Sequence, residues 1–366
     1  MTTATDKAAA LKQALRSRGG QPPLSYDNAI SSGSTLLNLA CSDRPDVAFA
    51  RGGYYFFVGD SAAGKTWLSF CLFAEACRNP AFSEHELIYD DVEGGALMDV
   101  ERYFGKDVVK RVQQPSRSGC SETVEDFYNN ILTRVENRSP FIYVLDSQDA
   151  LTSVAAKKKL KKQRQVARGE SDEKVAGSYG DGKAKYHSEH LRLLLNGMRK
   201  AGSILIIIGQ TRDNPAAGLF QSSKTRSGGK ALKFYNNLEI WLSITGRMTK
   251  LVRGHKRTVG TECLAEVRKN RVTGKSGKDR AAPLHILYGL GVDDVGVCVD
   301  FLTKWEWQKS KNGVITAPEF EFEGKRKALI QHIEEGNREA RLRRLVAKVW
   351  RALEDEAEPH RKPRYV

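Results

Sequence analysis

The chain has 366 residues, 40% hydrophobic and 8% aromatic, enough for one large α/β core with smaller appendages. Lys and Arg outnumber Asp and Glu by 59 to 44, and the resulting net charge of +15 calls for a polyanionic partner, nucleic acid or an anionic membrane. There is no membrane-length apolar run and no apolar signal core at the N-terminus, and the six cysteines form no C-x-x-C pair, so the expectation is a reduced cytoplasmic setting with nucleic acid as the anion.

In chain order, residues 5–17 form a short Ala-rich helical pattern with Leu11 and Leu15 four apart, ended by Gly19-Gly20 and Pro22-Pro23. A helix this short needs a surface to dock on, its own core or a neighbouring subunit. From about 30 to 290 strands alternate with helices. Tyr54–Val58, Leu87–Tyr89, Phe141–Leu145 and Ile204–Ile208 are continuous apolar runs, as strands covered on both faces require. The helix 65–78 and later helical stretches supply crossovers, so the sheet is expected to be mostly parallel. Two polar segments, about 154–186 and 211–229, read as loops. Residues 318–354 carry two apolar helical stripes, Leu329, Ile330 and Ile333, then Leu342, Leu345, Val346 and Val349. The expected organisation is therefore 1–29 as N-terminal helix and linker, 30–290 as the α/β core, and 291–366 as a small α-rich C-terminal domain with a basic tail.

Gly59, Asp60, Ser61, Ala62, Ala63, Gly64, Lys65 and Thr66 satisfy G-x-x-x-x-G-K-[ST] between a strand and a helix. Glycines there let successive N–H groups face phosphate oxygens, and the helix N-terminus adds its partial positive charge. Lys65 would bridge the terminal phosphates of ATP, and Thr66 would hold Mg²⁺. Asp146, ending the strand 141–145, is the second magnesium ligand of this reading. Asp90, Asp91 and Glu93 close the strand 87–89. Glu93 is the chosen base to orient water, although residue chemistry alone does not separate it from Asp91.

These elements, in order, resemble the bacterial RecA recombinases and their phage UvsX-like relatives. Ile30-Ser31-Ser32-Gly33-Ser34, the phosphate loop, Tyr89-Asp90-Asp91-Val92-Glu93, Val144-Leu145-Asp146-Ser147, Ile206–Arg212, Gly228–Tyr235, Val267–Arg271 and Ile286–Gly289 carry the likeness over about 30–305. The resemblance implies a RecA-like P-loop ATPase fold with a mostly parallel twisted sheet. It places Glu93 on the catalytic glutamate and makes Gln210 the sensor of the terminal phosphate. It sends Lys269 and Arg271 to the ATP of a neighbouring protomer. The polar segments become DNA-binding loops, with Lys185, Arg192, Arg212, Phe220, Arg226, Gly228 and Gly229 as contacts. The family's adenine-stacking position falls on Val100, with Arg102 and Tyr103 nearby.

The implied function is ATP-dependent strand exchange by filaments on single-stranded DNA, acting on duplex DNA as well, with DNA-stimulated ATP hydrolysis. Single-strand-binding and loader proteins would be further partners. The alternative on the same fold is a ring-forming DnaB-like motor.

Overall fold

The computed structural model describes residues 24–169, 183–213, 224–226, 229–362 and 364. The expected helix at 5–17, Phe220 and Gly228 lie outside the described residues. The chain opens with β1 (Ala29–Ile30), α1 (Thr35–Ser42), β2 (Phe49–Ala50), β3 (Tyr54–Gly59) and α2 (Lys65–Arg78). Then come β4 (Glu86–Asp91), α3 (Val100–Phe104), α4 (Lys106–Arg111), β5 (Val112–Gln113), α5 (Val124–Glu136) and β6 (Phe141–Asp146). The start of α5 is fixed by a capping box: Thr123 takes the Asp126 N–H, and the Asp126 carboxylate takes the Thr123 N–H. The next elements are α6 (Val154–Ala167), α7 (Lys183–Ala201), β7 (Ile204–Asp213), β8 (Lys224–Arg226) and α8 (Gly229–Tyr235). A long hairpin, β9 (Leu238–Val252) and β10 (His255–Asn270), leads to β11 (Ala281–Leu287) and β12 (Gly291–Val292). The C-terminal part is α9 (Asp294–Trp305), β13 (Gln308–Lys309), β14 (Val314–Ala317), β15 (Phe322–Lys325), α10 (Arg326–Glu335) and α11 (Glu339–Ala357).

The main sheet has the order β12-β11-β10-β9-β3-β7-β6-β4-β5, with β8 added beside β7. From β9 to β5 every pairing is parallel, so Gly59, Asp91, Asp146 and Gln210 arrive at the same carboxyl edge. That edge, where chain order reverses across the sheet, is where ligands of open α/β sheets sit. Alternation along the strands divides the core in two. Tyr55, Phe57, Ile142, Val144, Ile206 and Ile208 face the side covered by α1, α2 and the C-terminal helices. Tyr54, Phe56, Val58, Tyr143, Leu145 and Ile207 face α5, α7 and α8.

The four expected parallel strands and the helix 65–78 are present. Three regions differ from the expectation. The first polar segment is helical at both ends: α6 starts on a Ser153 cap, and the segment re-enters helix at Lys183. Its Lys, Arg and Gln are good helix formers, and α6 buries none of its residues, so no apolar stripe announced it. The second polar segment begins and ends as a hairpin stem, with Thr211 opposite Arg226 and Asp213 opposite Lys224. The region 318–354 is not helical throughout: a 3₁₀ turn and β15 precede α10, and β13-β14-β15 form a small antiparallel sheet. The expected boundary at 290/291 falls inside the β11–β12 pairing, and one apolar cluster runs from Phe57 and Leu68 to Leu342 and Val346.

Candidate nucleotide site

Backbone constraints shape the phosphate loop. A Cβ on Gly59 would lie 2.3 Å from the Leu242 carbonyl oxygen of the adjacent strand, so only glycine fits. Gly64 turns into α2 at φ 94°. Lys65 is buried, and its ammonium donates to the carbonyls of Gly59 at 2.9 Å and Asp60 at 2.6 Å. Burial lowers its pKa, opposed by the charges of Asp146 and Glu93. The Thr66 hydroxyl donates to Asp146 Oδ2 at 2.7 Å, and the Tyr89 hydroxyl donates to the same oxygen at 2.9 Å. Burial raises the Asp146 pKa, against these two donors.

Strand alternation at the end of β4 separates Asp90 from Asp91, and Glu93 lies two residues beyond the strand. Asp90 points to the far face, where it takes the Ser121 N–H at 2.8 Å, the Ser121 hydroxyl at 2.6 Å and the Tyr143 hydroxyl at 2.6 Å. Asp91 accepts from Gly95 N and Ala96 N and shapes its own turn. Glu93 alone meets Gln210, whose Nε2 donates to it at 2.9 Å, and it also accepts from the Ser147 hydroxyl. Gln210 in turn is fixed through its N–H, which donates to Asp149 Oδ2 at 2.8 Å.

Lys65, Thr66, Asp91, Glu93, Asp146 and Gln210 line a cavity of about 410 Å³. Trp67, Arg247, Thr261 and Tyr288 also line it, and no motif in the sequence gave any of the four a role. Arg247 donates to the Thr261 hydroxyl at 2.8 Å across the β9–β10 pair, so it enters the site only because that hairpin folds back beside β3. Trp67 packs edge-on to Tyr103 at 4.9 Å, and Arg102 lies over Tyr103 at 5.4 Å, which makes an aromatic shelf beside the loop. A larger hollow of about 760 Å³ between β11, α9 and α11 contains none of the expected site residues.

The remaining expected residues lie elsewhere. Lys269 donates to the Lys233 and Phe234 carbonyls, and Arg271 to the Phe234 carbonyl at 2.7 Å. Both therefore cap the C-terminus of α8 and do not line the cavity. Burial, then the charge of Arg271, pushes the Lys269 pKa down to about 8. Lys185 and Arg192 are exposed on α7, with Lys185 3.8 Å from Glu189. Arg212 is exposed and 3.6 Å from Asp149. Arg226 turns inward, contrary to its expected place on a DNA surface. It pairs with the buried Glu239 at 3.2 Å and lies 5.5 Å over Phe56. Gly229 starts α8 at φ 75°, with Ala184 where a Cβ would go.

Hard oxygen donors at Thr66 and Asp146 suit Mg²⁺, and a lysine on a glycine-rich loop suits polyphosphate. Among the described residues no three His, Cys, Asp or Glu side chains converge on one point. Fold and cavity together define an α/β protein of the P-loop type.

The comparisons with known proteins narrow this. A family model described as RecA N-terminal domain matches residues 141–293, from β6 through β12. The chain is 27% identical over 299 residues to Protein RecA of Chlorobaculum parvum, covering 80% of this chain and 75% of that protein. It is 26% identical over 303 residues to Protein RecA of Chlorobaculum tepidum, with the same coverage. A crystal structure of the RadB recombinase aligns more loosely, at TM-score 0.45 and 17% identity over 72% of this chain and 99% of that one. Over most of its length the chain is thus similar to RecA proteins, and the family model matches its central part.

Proposed function

We propose that the chain is a DNA-dependent ATPase of the recombinase kind, which forms filaments on single-stranded DNA and exchanges strands with a duplex. The observation that carries the reading is the convergence of Lys65, Thr66, Asp146, Glu93 and Gln210 at the carboxyl edge of one sheet. Bound Mg²⁺·ATP would supply an electrophilic terminal phosphorus whose charge the metal partly neutralises. Lys65 would leave its loop carbonyls for phosphate oxygens, and Thr66 and Asp146 would hold the ion. Glu93 would take the proton of the attacking water. Gln210, bonded to Glu93 and opening the β7–β8 stem, would report the terminal phosphate to the segment 214–223. Trp67, Tyr103 and Tyr288 offer the aromatic surface for the base.

Lys269 and Arg271 do not line the cavity of their own protomer, which suits a role toward a neighbouring protomer's phosphates. Lys185, Arg192 and Arg212 are the described exposed cations offered to DNA phosphates, giving affinity without base readout. No helix among the described residues is long and apolar enough to cross a membrane.

The test is ATP turnover with and without single-stranded DNA. Stimulation by DNA is expected, and Lys65→Ala is expected to abolish hydrolysis. Wild-type turnover by that variant contradicts the site.

A further inference from the structure

The second residue of the phosphate loop carries a carboxylate that the reading above does not use. Asp60 accepts from the Thr211 hydroxyl on one oxygen and from the Lys224 ammonium on the other. Thr211 lies on β7 and Lys224 on β8, so one side chain of the loop clamps both strands of the hairpin stem. The main-chain carbonyl of the same residue receives the Lys65 ammonium at 2.6 Å. The Asp60 pKa is held down, first by the Lys224 contact and then by Thr211.

A negative side chain in a loop that would receive phosphates repels them unless it is neutralised. Here the neutralising cation comes from the hairpin. We propose that Asp60 is a positioning residue: through Thr211 and Lys224 it ties the β7–β8 stem to the phosphate loop, so nucleotide affinity depends on where Lys224 sits. The inference rests on the nucleotide-binding reading of this cavity and deepens it by naming a second link, distinct from Glu93–Gln210. When Lys224 is drawn to another anion, Asp60 is left uncompensated beside the polyphosphate and nucleotide binding weakens. By linkage, bound nucleotide disfavours release of Lys224 to the same extent.

The test has two arms on the full chain. In the first, affinity for a methylanthraniloyl-labelled ATP is measured for the unaltered protein, Lys224→Gln, Asp60→Asn and the double variant. Lys224→Gln is expected to weaken binding about five- to tenfold. Asp60→Asn alone is expected to bind at least as tightly as the unaltered protein, and the double variant to return to its affinity. An unchanged affinity in Lys224→Gln, or a double variant no better than Lys224→Gln, overturns the proposal. In the second arm, amide exchange at 224–226 is followed without nucleotide. Faster exchange in Asp60→Asn is expected, and unchanged exchange overturns the tie. If the unaltered protein binds no nucleotide, the reading of the cavity fails, while the exchange arm still decides the tie.

Discussion

Glu93 stands apart from Asp90 and Asp91 because those two are engaged elsewhere, one with Ser121 and Tyr143, the other with its own turn. Replacing Glu93 by Gln keeps the shape and the Gln210 contact but removes the carboxylate proposed as the base. ATP turnover should fall by about 100-fold or more while nucleotide affinity is retained, and equal losses in both would contradict the assignment. Lys269 gives a pH prediction. Its folded pKa, about 8, lies below the usual 10.5, so the folded protomer favours the neutral amine. Below about pH 8 the charged lysine opposes folding; stability rises as pH climbs from there toward 10.5. A role toward a neighbour's phosphates needs the charged form. The kcat/KM of ATP hydrolysis should therefore decline above about pH 8, and Lys269→Arg should move that limb upward. An identical limb in the variant would exclude Lys269. Arg226 belongs to the same scale. Its removal leaves the buried Glu239 with Trp241 and Asn236 as its donors among the described residues, so Arg226→Ala should cost about 2–3 kcal/mol in urea unfolding. An unchanged midpoint would return Arg226 to the candidate DNA contacts.

At the scale of elements, legibility followed burial. Tyr54–Val58, Phe141–Leu145 and Ile204–Ile208 are covered on both faces, so their apolar runs announced them. The strands β9 and β10 alternate between buried and exposed and then run out as exposed residues from 249 to 258, and nothing in their hydropathy marked a hairpin. With them went Arg247 and Thr261, which enter the cavity only through that pairing. Motif spacing pointed to the phosphate loop and Asp146, and the family resemblance to Gln210, but residue chemistry did not separate Glu93 from Asp91: both line the cavity, and the contact that distinguishes Glu93, with Gln210, is made between residues far apart in the chain. The C-terminal helix α11 was legible as a stripe, yet its attachment was not. Arg280, buried between β10 and β11, pairs with Asp43 and Glu354, and Trp350 Nε1 donates to Asp43 at 3.3 Å. Lys275 pairs with the same two carboxylates, at 3.7 Å and 2.8 Å, so Arg280→Ala removes only the buried cation of the cluster and should cost about 2 kcal/mol in denaturant unfolding. A cost near zero would mean that Lys275 and the apolar face of α11 suffice to fasten it.

Across the whole molecule, the site is built unevenly. The cavity holds Lys65 and Arg247 as cations against Asp91, Glu93 and Asp146, while Lys269 and Arg271 sit at the end of α8 and do not line it. A polyphosphate with its metal would be incompletely compensated in one protomer, and a second protomer bringing its Lys269 and Arg271 would supply the missing charge. The net charge of +15 adds a long-range attraction for the DNA that would align such protomers. The central claim is therefore that nucleotide binds between protomers arranged along a strand. Electron microscopy of the protein with single-stranded DNA and a slowly hydrolysed ATP analogue tests it most directly. Open helical filaments that disappear in a Lys269→Ala, Arg271→Ala variant are the expected result; closed rings, or filaments indifferent to both substitutions, would contradict it.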